Sequence, residues 1–326
     1  MSIEFTKHPI LESPTDEEIV ILGEADPKLL ASLHEAHEGR ILAAETDPLR
    51  HGFDLPGWGR MRDAIADYDE VITFGGNRSG KTTGCAKMLM EAVTNNQDGH
   101  VVCFSQNADT SVKVQQAAVW EMMPKEFRKK TKSIEGYINF SMQNGFTGSS
   151  FIFPDTRTRV DFKTYTQFSN NQTILEGFEF GFKKADSLNI GAWLDEYLGD
   201  AALVNTLRFR LATRDSKMIL GFTPIDGYTP FVSEYLKGAE TLETRNAELL
   251  DKAVPVKQYS PERDAGIVYL HSDENPFGGY DRIAKDLKNS SEDTIMVRAY
   301  GLPTKSMTSL IPNFSPEVNV LTNEPN

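Results

Sequence analysis

Two short stretches carry residue types whose spacing does chemistry. The first, residues 71–83 (VITFGGNRSGKTT), is an apolar run that enters a glycine-rich turn and then a helical pattern. It meets G-x-x-x-x-G-K-[ST] at Gly75, Gly80, Lys81 and Thr82. Glycines let the backbone curl until successive N–H groups share one concavity, which suits phosphate oxygens. A helix beginning at Lys81 adds its unpaired N-terminal N–H groups and positive dipole end. The pattern therefore predicts a phosphate cradle from Gly75, Gly76, Asn77, Arg78, Ser79, Gly80, Lys81, Thr82 and Thr83. Lys81 would reach the β- and γ-phosphates of a nucleotide and the Thr82 hydroxyl would hold Mg²⁺. A chance glycine-rich turn is the bland alternative, and the flanking strand and helix patterns speak against it.

The second stretch, residues 190–196 (IGAWLDE), is an apolar run ending in adjacent acids, 114 positions beyond Lys81. In that arrangement the first acid, Asp195, orients the metal and the second, Glu196, polarises an attacking water. A carboxylate beside the metal suits hydrolysis better than transfer to a hydroxyl. Residues 217–222 (KMILGF) form another apolar run that ends at Thr223-Pro224, where ligands of open α/β sheets gather, so this pair is expected to couple γ-phosphate loss to other elements.

Other elements must position these residues. The predicted helices are 27–44, 61–68, 81–94, 109–123, 200–211, the polar stretch 228–252 and a region up to Tyr300. The predicted core strands include 71–74, 100–105, 190–195 and 217–222, with late strands at 253–258 and 267–271. Strand and helix alternate, so the expected fold is α/β with a mainly parallel sheet flanked by helices. Alternating patterns at 137–140, 150–153 and 159–165 predict antiparallel additions to it. Leu55, Trp58 and Arg60, just upstream of the first strand, are candidates for contacts to an adenine base.

Composition narrows the partners less than the total charge suggests. The net charge of −13 looks wrong for a nucleic-acid binder, but residues 1–70 hold 16 acids against 6 bases, leaving 31 against 28 elsewhere. The body is nearly neutral, and residues 125–132 (KEFRKKTK) are its densest basic run, read either as a phosphate contact or as a solvated turn. The acidic segment 1–50 reads as an arm or helical subdomain. Cys85 and Cys103 read as buried thiols, and with no apolar run of membrane-spanning length the expected setting is intracellular, without a membrane.

These stretches together resemble the large terminase subunit of tailed bacteriophages, the ATPase that pumps DNA into a procapsid. The resemblance rests on GGNRSGKTT (75–83), WLDE (193–196), GFTPIDG (221–227), SDENP (272–276), RAYG (298–301) and LIPNF (310–314), in consistent order over residues 50–315. It implies an additional-strand P-loop ATPase fold spanning residues 51–300, using ATP and Mg²⁺. It also implies double-stranded DNA, a portal protein and procapsid, and a small terminase subunit as partners. The subunits would form a homo-oligomeric ring, a pentamer on the portal, in the cytoplasm of an infected bacterial host. Family members carry a nuclease that would begin about where this chain stops, so residues 301–326 read as a linker and no DNA cleavage is expected of this portion. The family's base-binding glutamine is missing from residues 54–65. Of its expected arginine finger, Arg78 is the candidate in cis and Arg157, Arg159, Arg208, Arg210 and Arg214 are candidates in trans. The rival readings are another P-loop translocase or helicase, a phosphotransferase, and a structural protein whose assembly a nucleotide stabilises.

Overall fold

The computed structural model describes residues 27–129, 137–196 and 201–304. Its centre is a nine-stranded sheet in the order β10-β11-β12-β1-β9-β8-β2-β7-β6. The parallel body consists of β12 (Ala265–Leu270), β1 (Glu70–Gly75), β9 (Lys217–Phe222), β8 (Ile190–Asp195), β2 (His100–Ser105) and β7 (Arg159–Thr164). Antiparallel strands extend both edges: β10 (Glu240–Ala247) and β11 (Lys252–Ser260) on one side, β6 (Ser150–Ile152) on the other. Strands covered on both faces read as near-continuous apolar runs, and β1, β8 and β12 are buried throughout.

Helices cover both faces. On one lie α2 (Pro56–Asp67) and α3 (Lys81–Asn95), which contribute Trp58, Met61, Leu89 and Val93 to a core that reaches Trp193, while α1 (Pro27–Thr46) packs against the short helix Pro48–His51. On the other, α4 (Ala201–Ala212), α5 (Pro230–Leu236), α6 (Tyr280–Leu287) and α7 (Glu292–Tyr300) bury Leu207, Tyr235, Leu287 and Tyr300. The β1 carboxylate Glu70 ties the second layer to the sheet: Arg208 of α4 grips both its oxygens and the Tyr235 hydroxyl of α5 donates to it at 2.8 Å. No helix among the described residues is long and apolar enough to cross a membrane.

Most elements fall where the residue pattern predicts them, with three corrections. Residues 159–164 form a parallel body strand rather than an antiparallel addition, pairing β2 from His100↔Arg159 to Ser105↔Thr164. The 137–140 pattern leaves the main sheet: β4 (Ile138–Ser141) joins β3 (Arg128–Lys129) and β5 (Gly145–Phe146) in a small separate sheet. The polar stretch 228–252 is helical only through α5 and then forms β10, an edge strand that pairs with β11 and leaves Glu240–Thr244 in solvent. The helical stretch 108–122 also holds a π-helical segment at Ser111–Gln116. Residues 1–26, 130–136, 197–200 and 305–326, and with them much of the acidic segment, the last three residues of the basic run, LIPNF and most of the linker, lie outside the described residues.

The parallel strands bring their C-terminal ends to one edge, where Gly75, Asp195, Phe222 and Leu270 hand the chain to loops. Two of those loops meet backbone to backbone. Gly301, at φ +67°, lies so close to Gly75 that an added Cβ would sit 2.7 Å from that residue's backbone. By contrast, a Cβ on Gly59 in α2 would meet nothing within 4 Å. Gly301→Ala should therefore cost on the order of 2 kcal/mol or more, while Gly59→Ala should add about 1 kcal/mol by helix propensity. Chemical denaturation of the two variants checks the opposite signs.

Candidate functional site

The glycine-rich loop begins where β1 ends and closes at Gly80, whose φ of +83° makes it a left-handed N-cap for α3. Arg78 is also left-handed at φ +56°, a conformation uncommon for a residue with a side chain. The loop is clamped from behind. The Gly76 N–H donates to the Leu270 carbonyl at 3.0 Å and the Asn77 N–H to the Arg298 carbonyl at 2.6 Å. Ser272 Oγ donates to the Asn77 carbonyl at 2.6 Å and Asn275 Nδ2 to the Arg78 carbonyl at 2.7 Å. A Cβ on Gly76 would stand 2.4 Å from the Ala299 carbonyl oxygen, so that position requires glycine.

The cradle is consequently narrower than its sequence motif. Gly76 and Asn77 commit their N–H groups to the clamp and Ser79 donates to the Gly76 carbonyl at 3.3 Å. Among the described residues, the N–H groups of Arg78, Gly80, Lys81, Thr82 and Thr83 have no backbone partner, and these are the donors left for an anion. Ser79 Oγ is buried without a hydrogen-bond partner, and a Cβ on Gly75 would stand 2.6 Å from it.

Across from the loop stand the two acids. Asp195 is 4% exposed, and Thr82 Oγ1 lies 3.4 Å from its Oδ1. Burial pushes its carboxyl up to about 7, with Lys81 opposing and Glu196 reinforcing the shift. Glu196 leaves the strand at φ +48°, its N–H donating to the Gly221 carbonyl at 2.7 Å. One carboxylate oxygen accepts from Lys81 Nζ at 2.9 Å and the other from the Thr223 N–H at 3.3 Å. Thr223 thus touches the second acid directly, and buried Pro224 follows it in a small cavity of about 40 Å³ that Glu196 also lines. Tyr165, which no motif signalled, donates its hydroxyl to the Asp195 carbonyl at 2.8 Å.

The residues expected at a base are placed otherwise. Trp58 is 1% exposed, donates Nε1 to the Gly80 carbonyl at 3.1 Å, and packs against Gly84, where a Cβ would stand 2.5 Å from Nε1. In this conformation it is a prop beneath α3 rather than an open wall for a base. Leu55 packs beside it against Gly80, and Arg60 is paired with Glu274 at 2.6 Å. Among the arginines, Arg157 is held by Asp98, Arg159 by Asp161, Arg208 by Glu70 and Arg214 by Glu179 and the Gly181 carbonyl. Arg78 is exposed, and among the described residues its guanidinium has no ion pair; Arg210 likewise has none. In the described part of the basic run, Lys125 pairs with Glu45 and Arg128 donates to the Met123 and Glu121 carbonyls.

SDENP and RAYG, legible in the sequence only as marks of resemblance, turn out to hold the loop. Beside them, His271 is fully buried; burial first, then Arg245 and Arg60, lower its pKa to about 3 and keep the ring neutral. No group of three or more His, Cys, Asp or Glu capable of holding a metal exists among the described residues. The Thr82 hydroxyl and Asp195 carboxylate are hard oxygen donors that fit Mg²⁺, an ion that takes one or two protein ligands and completes its shell with phosphate and water.

The raised pKa of Asp195 has a consequence for stability. The folded value lies above the unfolded one, so its stabilisation is full below about pH 4 and lost as pH rises through about 7. Over that window the loss is on the order of 4 kcal/mol. Asp195→Asn should match the wild type near pH 4 and exceed it in stability by pH 8, measured by denaturation in metal-free buffer. A wild type that instead gains on the variant as pH rises would mean the carboxylate is stabilised in the fold.

No protein-family model matches this chain, and no curated protein matches it, so the reading of the site rests on its own geometry.

Proposed function

We propose that the chain is an ATP hydrolase of the additional-strand P-loop class and, on the resemblance described above, the ATPase part of a terminase large subunit that moves double-stranded DNA. One observation carries the enzymatic reading. Lys81 and Thr82 on α3 meet the acids at the end of β8, Lys81 on Glu196 and Thr82 on Asp195, and the Thr223 N–H just past β9 also donates to Glu196. The position of β9 between the loop strand β1 and the acid strand β8 supports the same class.

The division of labour follows from chemistry. The free N–H groups at the start of α3 and the Lys81 ammonium bind phosphate oxygens. Mg²⁺ held by Thr82 and Asp195 would supply charge neutralisation as a Lewis acid. Glu196 takes a proton from the water that attacks the γ-phosphorus, giving ADP and phosphate. In the observed arrangement Lys81 occupies one Glu196 oxygen. Phosphate oxygens compete for that ammonium, so nucleotide binding frees the carboxylate oxygen for water while the Thr223 N–H keeps hold of the other. Loss of the γ-phosphate returns Lys81 to Glu196, which touches Thr223, and this is the route by which hydrolysis would reach β9 and the loop beyond it. Arg78 would reach the same phosphates in cis.

The wider assignment adds a ring of subunits on a portal and procapsid, a small subunit as partner, and a site in the host cytoplasm. DNA contact would be to phosphates and independent of sequence, so binding should weaken steeply with salt. Steady-state ATP hydrolysis with and without DNA, across protein concentration, tests the reading. Glu196→Gln should lower turnover by about 100-fold or more with ATP affinity nearly kept, and Lys81→Ala should lose both. Bound ATP with no turnover in any condition would overturn the hydrolase and favour an assembly that nucleotide stabilises.

A further inference from the structure

The turn at residues 272–275 alternates its side chains between two jobs. Ser272 and Asn275 face the glycine-rich loop and donate to the carbonyls of Asn77 and Arg78. Asp273 and Glu274, between them, face away, and each is taken by an arginine from a different part of the fold. Arg245 of β10 pairs with Asp273, whose side chain is 5% exposed. Arg60 of α2 pairs with Glu274 at 2.6 Å, with both side chains about nine-tenths buried.

Arg245 is out of keeping with its strand. The residues from Glu240 to Thr244 are exposed, as an edge strand should be, while Arg245 turns inward. There it also stands 3.3 Å from Nδ1 of His271, whose ring packs edge-on against Tyr300 at 5.0 Å. Tyr300 precedes Gly301, the residue pressed on Gly75. The two arginines therefore brace the turn that carries Ser272 and Asn275, and Arg245 also reaches the His271 ring packed on Tyr300.

We propose that Arg245 and Arg60 are positioning residues for the loop: by fixing Asp273 and Glu274 from opposite sides, they fix the Ser272 and Asn275 hydrogen bonds that set the loop's backbone. Each guanidinium meets its carboxylate through one nitrogen, Arg245 Nη1 on Asp273 Oδ1 and Arg60 Nη2 on Glu274 Oε2. Removal of either arginine leaves a buried carboxylate unpaired, which moves the turn or draws in water. The effect on nucleotide rests on reading the loop as a phosphate binder; the effect on the loop does not.

The experiment uses the purified chain and two readouts, amide hydrogen exchange at residues 76–80 without nucleotide and equilibrium binding of a fluorescent ATP analogue with Mg²⁺. Arg245→Ala and Arg60→Ala should each speed loop exchange about tenfold and weaken the analogue about tenfold. Arg245→Lys should recover part of both. Tyr235→Phe, which removes a buried hydrogen bond to Glu70 at the far end of β1, serves as the control for general destabilisation and should change neither. Loop exchange equal to wild type in both alanine variants, or an equal change in Tyr235→Phe, would overturn the inference. Faster exchange in the alanine variants, with an analogue that fails to bind even the wild type, would sustain the positioning role and overturn the nucleotide reading instead.

Discussion

The constraint on which the rest depends is the contact of one backbone with another at the C-terminal edge of the sheet. Residues 75–77 and residues 298–301 approach so closely that neither Gly76 nor Gly301 has room for a Cβ. The approach pairs groups that would otherwise be orphaned. The last carbonyls of a helix lack intrahelical donors, and the Arg298 carbonyl receives the Asn77 N–H and, at 3.5 Å, the Ser272 hydroxyl. The first half of the loop is thereby fixed, and its second half is left with unpaired donors at the start of α3. A loop rigid at one end and unsatisfied at the other is prepared to bind an anion without being reorganised by it.

Legibility in the sequence divided along the same line. The strand, loop and helix from 70 to 95 were readable because apolar run, glycine spacing and helix pattern agree with one another, and β8 and β9 because buried parallel strands admit little but apolar residues. What failed depended on partners distant in the chain. Residues 240–247 hold good helix formers, yet pairing with β11 makes them a strand. Arg159–Thr164 alternates like a half-exposed strand, yet Asp161, one of its polar residues, is buried because His100 and Arg159 satisfy it. Trp58 looked like a base contact by position, and its packing on Gly84 is invisible to spacing. Ser272 and Asn275 stood in a recognisable stretch, but nothing local says that they reach back almost 200 residues to the loop.

Charge follows the same economy of partners. Four of the arginines that sequence alone offers as catalytic donors are held by carboxylates of their own chain. The pairing of Arg208 with Glu70 is a structural joint between layers, because breaking it would strand a carboxylate that is 8% exposed. On this physical ground Arg78 and Arg210 are left without an ion pair among the described residues, and of the two Arg78 belongs to the loop, exposed and with its carbonyl held by Asn275.

The two adjacent acids show how local geometry turns a sequence pair into a site. On an extended strand, neighbouring side chains point to opposite faces, so Asp195 and Glu196 would be separated by the sheet if β8 simply continued. It does not continue: Glu196 takes φ +48°, a left-handed conformation that costs about 1–2 kcal/mol for a residue with a Cβ. The turn brings its carboxylate to Lys81 and to the Thr223 N–H, while Asp195 stays buried beside Thr82. Their environments then separate them chemically. Burial raises the Asp195 pKa to about 7, so its carboxyl ionises less readily than an exposed one. Glu196, with a side chain 46% exposed and two donors, has access to solvent and so to the water a hydrolase must activate. The left-handed residue at the strand's end is therefore what gives the two acids different surroundings, the difference that the proposed roles of metal ligand and base require.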